Sequence, residues 1–177
     1  ETLPLRNFQQ YMDWISRLEK LDDVIDQYIS LANQGIENQV MPPKVLMSRV
    51  LNQIKLQNVD SYINSPFYDA FEVLPDEISN QEQEQIREQA QITITNVVIP
   101  SYVKLLNFFE NSYYPNCRDT IGISDIKNGS QYYELIARQF TTTELTPDEI
   151  HNIGLSEVTR IKNEMFKIMD QVQWNGS

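Results

Sequence analysis

Between Thr141 and Val172 the apolar positions Ile150, Ile153, Val158, Ile161, Met165, Ile168, Met169 and Val172 recur close to a three-four spacing. That period lays them along one face of a helix about seven turns long. Glu157, Arg160, Lys162, Glu164, Lys167 and Asp170 occupy the other face. The start of the helix is specified on both sides. Thr146 is placed to cap it, Pro147 sits where its missing N–H costs nothing, and Glu149 closes a capping box back onto Thr146. Leu145 and Ile150 take the two positions of a hydrophobic staple. The stretch therefore predicts a helix with one face for packing.

The same pattern continues through the rest of the chain. Tyr11, Ile15 and Leu18 share a face, then Leu21, Val24, Ile25, Tyr28, Ile29 and Ala32 form another, with Gly35 as the expected C-cap. Trp14 and Met12 are expected to pack between neighbouring helices. Pro43 opens a helix in which Leu46, Val50 and Ile54 line up. Residues Asn64 to Asp76 hold four large apolar side chains between two prolines, which predicts an ordered, packed loop. Ser79 with Glu82 makes a second capping box, ahead of the longest helical candidate, Asn80 to Tyr113. Its stripe is Ile86, Ala90, Ile94, Val97, Ser101, Leu105 and Phe109. Two features complicate it. The β-branched run Ile92 to Ile99 also admits a strand, and Pro100 is expected to kink or split the helix near Val98. Arg118 to Gly129 is a turn-rich connector, open to a short β-segment over Thr120 to Ile126, and Ser130 starts a helix through Tyr133, Ile136, Ala137 and Phe140. The expected fold is mainly α: a bundle-like array of five to six helices with two long ordered loops, forming a single helical domain over residues 1–177.

Composition narrows the classes of function. Hydrophobic residues make up 41% of the 177, which suits a folded domain and not a disordered one. The mean hydropathy of -0.44 agrees with that, and no transmembrane segment is expected. Fourteen basic against 25 acidic residues give a net charge of -11, the wrong sign for a nucleic-acid partner. The leading residues Glu1 to Arg6 lack the basic and apolar regions of a signal peptide and read as a cut point inside a longer protein. One cysteine, Cys117, and one histidine, His151, exclude an internal disulfide and a closed structural zinc site made from those two residue types.

Candidate chemistry is sparse. A helical zinc pair starting at His151 needs a second histidine four residues on, where Leu155 stands, so a structural or surface role is favoured. Cys117 lies beside Arg118, whose guanidinium would favour a thiolate, but a Cys–His dyad would have to borrow His151 from a distant helix. The adjacent carboxylates Asp22/Asp23, Asp76/Glu77 and Asp148/Glu149 are better explained by helix dipoles than by acid–base work. Tyr113/Tyr114 and Tyr132/Tyr133 suit a core or a pocket wall. No Gly-rich phosphate loop and no Gly-x-Ser-x-Gly elbow is present. No catalytic residue and no metal ligand can be assigned; the residues best suited to line a cleft are Tyr113, Tyr114, Arg118, Tyr132, Tyr133 and His151.

Four segments, taken in order, carry a resemblance. They are Gly35-Ile36 through Met41-Pro42-Pro43-Lys44-Val45-Leu46; Ser65-Pro66-Phe67-Tyr68-Asp69-Ala70-Phe71 with Leu74-Pro75; Val98-Ile99-Pro100-Ser101-Tyr102 through Tyr114-Pro115-Asn116-Cys117-Arg118; and Gly129 through Tyr132-Tyr133 to Leu145-Thr146-Pro147-Asp148-Glu149-Ile150-His151 and Leu155. Together they resemble the bacterial family called domain of unknown function 885. That family is similar to helical zinc metallopeptidases, and its members are often exported, periplasmic or lipid-anchored. Its metal signature, ending in Pro-Gly-His-His, belongs downstream of the Thr146 to His151 segment, and none of its ligands can be carried onto a position here. The resemblance implies a non-catalytic amino-terminal portion of a zinc-dependent peptidase, with no cofactor of its own, zinc in the parent, the remainder of its own polypeptide as partner and a peptide as the parent's substrate. The alternative is a self-contained helical protein-binding module. A truncated portion should expose a large apolar face where the rest packs; a complete module should not.

Overall fold

The computed structural model describes residues 5–174 and residue 176; the reading of Glu1 to Pro4 as a cut point lies outside them. The chain is mainly α, and no strand occurs among the described residues. Its contacts divide between two compact units, one ending at Ile121 and the other beginning at Gly122.

The first unit contains α1 (Phe8–Leu18), α2 (Leu21–Glu37), α3 (Lys44–Leu56), the short α4 (Asp69–Glu72), α5 (Asn80–Thr93) and α6 (Ile99–Phe108). Asn7 caps α1 by accepting the Gln10 N–H at 3.0 Å, and the predicted capping box opens α5, Ser79 and Glu82 satisfying each other's backbone. The buried cluster joins Tyr11, Ile15 and Leu18 of α1 to Ile86, Ala90, Ile94 and Val98, with Phe71, Leu74 and Ile78 closing it from the segment between. Met12 and Trp14 pack against its edge as expected. The loop over Asn64 to Asp76 is ordered because its own side chains fill this core. Phe71 is fully buried, with its ring 5.9 Å from Tyr11 and 6.0 Å from Tyr68.

Pro100 does not split the long helix. α5 and α6 run on as one helix, Asn80–Asn116, because two π-helical turns, Ile94–Val98 and Phe109–Tyr113, interrupt the α pattern. Each π turn ends two residues before a proline, Pro100 and then Pro115. A proline cannot donate to the carbonyl four residues back and its ring crowds that carbonyl. Widening the preceding turn by one residue relieves both, and the Ile99 N–H reaches the Ile94 carbonyl instead. The β-branched run from Ile92 is therefore helical, its side chains drawn into the core where Ile94 and Val98 are buried. By length and composition this helix is long and apolar enough to cross a membrane, with a mean hydropathy of 1.3 over its most apolar window, 28% of which is buried.

Two further boundaries differ from expectation. Gly35 lies inside α2, which ends at Glu37 with Asn38 as its C-cap, and the chain reverses through Gln39 at a positive φ of 59°. Space beside Gly35 is tight: a Cβ would stand 3.3 Å from the Val40 carbonyl. No β-segment forms over Thr120 to Ile126. A 3-10 turn, Ile123–Asp125, occupies that stretch, and the isolated bridge of the region pairs Pro43 with Arg118.

A polar clamp joins α2 to α6. Buried Ser101 donates its hydroxyl to Asp22 at 2.9 Å, and Lys104 reaches both Asp22 and Asp26, the latter at 2.6 Å. Hydrogen bonds from Lys104 and then Ser101 hold the Asp22 carboxyl below its usual range, while those to Asp22 and Asp26 push Lys104 up.

The second unit contains α7 (Gly129–Thr141) and α8 (Pro147–Gln171). Gly129 is packed so closely on the 3-10 turn that a Cβ would meet the Ile123 carbonyl at 2.0 Å. α8 begins as predicted, with Thr146 and Glu149 forming a reciprocal capping box. Its packing face is not packed: no residue of α8 is buried.

Two outcomes follow from this packing. Phe71→Ala should lower the unfolding free energy by about 3–5 kcal/mol in urea titrations, the range for emptying a large aromatic site in a core. For the clamp, the lowered Asp22 value adds stability above the ordinary aspartate value of 3.8, lost as pH falls through the folded value. The raised Lys104 value adds stability below 10.5, lost as pH rises through its folded value. The stability advantage of wild type over Lys104→Met should thus be present at pH 7 and shrink below pH 3.8. With these side chains 36% to 60% exposed, that advantage should also shrink in high salt; a pH- and salt-independent difference would contradict the clamp.

Candidate functional site

The structure brings together three of the residues suited to a cleft wall. The end of the long helix stacks Phe109 on Tyr113 and Tyr114, with ring centroids 5.3 and 6.4 Å apart, and a 3-10 turn, Tyr114–Asn116, delivers Cys117 and Arg118 beside the start of α3. There the backbones pair: the Lys44 N–H donates to the Arg118 carbonyl at 2.8 Å and the Arg118 N–H donates to the Pro42 carbonyl at 3.1 Å. The guanidinium of Arg118 is turned onto carbonyls, donating from Nε to Met41 at 3.0 Å and from one terminal nitrogen to Thr120 at 2.8 Å. Arg118 is therefore the tie that fastens the α2–α3 loop to the end of the long helix.

This arrangement decides the chemistry of Cys117. Its thiol is buried, donates to the Tyr113 carbonyl at 3.4 Å, and is pushed up by burial despite the opposing charge of Lys44. The thiolate that the neighbouring Arg118 was expected to favour is not stabilised, because burial outweighs the opposing charge. Burial likewise pushes the Tyr113 hydroxyl up, so it remains a donor at neutral pH.

The other three candidates lie in the second unit. Tyr132 and Tyr133 are adjacent on the first turns of α7, each about half exposed, and exposed His151 stands on the first turn of α8. No hydrogen bond or ion pair reaches the His151 imidazole among the described residues. No group of three or more His, Cys, Asp or Glu side chains there is placed to hold a metal, so the donor set does not fit a zinc ion.

A concavity that sequence reasoning missed lies in the first unit. Val50, Gln53 and Ile54 of α3 and its C-cap Gln57 face Pro66, Phe67 and Tyr102 across an open groove of about 410 Å³. Phe67 and Tyr102 form its aromatic wall, their centroids 5.7 Å apart, and the Asn58 amide spans from the Ile54 carbonyl to that of Tyr102 at 3.0 and 3.4 Å. Two neutral amides one turn apart beside an apolar wall suit an uncharged group with polar edges. They supply no nucleophile and no acid–base pair. Gln53 and Gln57 are four residues apart in sequence, but only packing sets them against Phe67 and Tyr102.

A measurable consequence concerns Cys117. With its thiol buried and its value raised, modification by a disulfide reagent at pH 7.5 should be at least roughly tenfold slower than for free cysteine and become fast only on unfolding. Rapid labelling of the native chain would contradict this packing.

Comparison with known proteins places the fold. A crystal structure described as that of a candidate lipoprotein from Colwellia psychrerythraea is similar, with 25% identity and a TM-score of 0.74, over 98% of this chain and 30% of that one. The chain thus spans less than a third of the length of that relative. No curated protein matches it. A family model described as a bacterial protein of unknown function, DUF885, matches residues 1–177, and the chain belongs to that family.

Proposed function

We propose that this chain is the amino-terminal helical portion of a larger bacterial protein that resembles zinc-dependent peptidases, with hydrolysis carried out by residues downstream. The observation that carries this reading is the coverage: the family model matches the whole chain, yet the chain covers 30% of the similar solved structure. The exposed apolar face of α8 supports a portion over a self-contained binding module, since a complete domain buries such a face. In this reading the chain supplies scaffold and cleft wall. The Tyr113–Tyr114–Arg118 corner would border a peptide substrate, and zinc would be held wholly by the remainder of the polypeptide. The description of the relative as a lipoprotein supports an exported or lipid-anchored location.

The test compares the 177-residue chain with its full-length parent. Metal analysis should find about one zinc per full-length chain, with chelator-sensitive cleavage of unstructured peptides, and neither property in the 177-residue chain. A metal-free, inactive parent would refute the peptidase reading; stoichiometric zinc and hydrolysis by the short chain would refute the division of labour.

A further inference from the structure

The last helix presents an apolar face with a gap at its centre. Ile153, Val158, Ile161, Met165 and Ile168 of α8, with Val172 at its end, are each 47% to 66% exposed. Gly154 lies within the stripe, one turn from both Ile150 and Val158. A Cβ on Gly154 would meet nothing within 4 Å. A glycine inside a helix costs up to about 1 kcal/mol relative to alanine. Neither a turn nor crowding within this chain requires it, since its φ is not positive and the space beside it is open. What a glycine at that place permits is close approach by a backbone that this chain does not contain. The edges of the face are set for water: Glu157 pairs with Arg160 at 2.9 Å and Glu164 with Lys167 at 3.0 Å along one side, and Lys162 lies on the other. Such an apolar centre with a charged rim matches a helix–helix packing surface.

We infer that this face is covered, in the full-length protein, by an apolar helix from the part of the polypeptide outside these 177 residues, crossing α8 at Gly154. The inference rests on the reading of the chain as an amino-terminal portion, and the occupant is argued from chain length. More than two thirds of the similar solved chain lies outside the match, which leaves ample polypeptide to supply such a helix.

Hydrogen–deuterium exchange tests it in the full-length protein and in the 177-residue chain. Amides of residues 150–172 should exchange at least about tenfold more slowly in the full-length protein, while those of α5 are alike in both. Gly154→Leu separates the two chains by sign. It should leave the melting temperature of the short chain unchanged or raise it, because leucine favours a helix and the site is open. In the full-length protein it should lower the melting temperature by several degrees, and Gly154→Ala should lower it less. If the full-length Gly154→Leu protein fails to fold, the wild-type exchange comparison still decides. Equal exchange of α8 in the two chains, or a full-length protein indifferent to Gly154→Leu, overturns the inference. So does a concentration-dependent dimer of the short chain that protects α8, which would make a second copy the occupant. None of these readouts depends on zinc or hydrolysis, so they fail or stand separately from the peptidase reading.

Discussion

Keeping one helix unbroken past two prolines is the condition on which the first unit rests. Ile86, Ala90, Ile94 and Val98 bury completely against α1 and Phe71, and α2 and α3 pack on α6 beyond them. A break at Pro100 would send α6 in another direction and leave Ser101 and Lys104 unable to meet Asp22. The π turns at Ile94–Val98 and Phe109–Tyr113 remove that hazard by letting the backbone bypass the missing donor. The second turn also sets the exit direction at Tyr114, which carries Cys117 and Arg118 onto the Met41–Lys44 corner.

The two units differ in how far they satisfy the physics of a folded domain. In the first, about a dozen apolar side chains leave water, each worth about 1.5–3 kcal/mol when fully buried, against the entropy of ordering the chain. In the second, Gly129 is the one buried residue among the described residues of its helices, and Tyr132, Leu135 and Phe140 of α7 are exposed along with the α8 stripe. Capping boxes and spaced ion pairs shape α8, but such terms contribute tenths to about one kcal/mol each and do not replace a core. Local signals make its helix; burial against something else must hold it.

The residues suited to a cleft wall illustrate where pattern stops being informative. Paired tyrosines and a cationic neighbour were visible in the chain, and Tyr113, Tyr114 and Arg118 do share one corner. The direction of the guanidinium was not visible, because it depends on carbonyls of Met41 and Thr120, the first of them far away in sequence. The raised thiol value of Cys117 follows from burial, which is non-local. The groove between α3 and Tyr102 had no local signature at all, since its walls come from three separate segments.

By itself the sequence determined the helical class, both capping boxes, the ordered loop around Phe71 and the family, because spacing, caps and short ordered motifs are properties of neighbouring residues. Tertiary structure decided that the Ile92–Ile99 run is helical, that Pro100 bends nothing apart, that Gly35 lies within its helix and that the stripe of α8 is open. Each of these is settled by what lies across from a residue: a core that rewards buried Ile94 and Val98, a carbonyl 3.3 Å from where a Cβ would stand on Gly35, and open space beside Gly154.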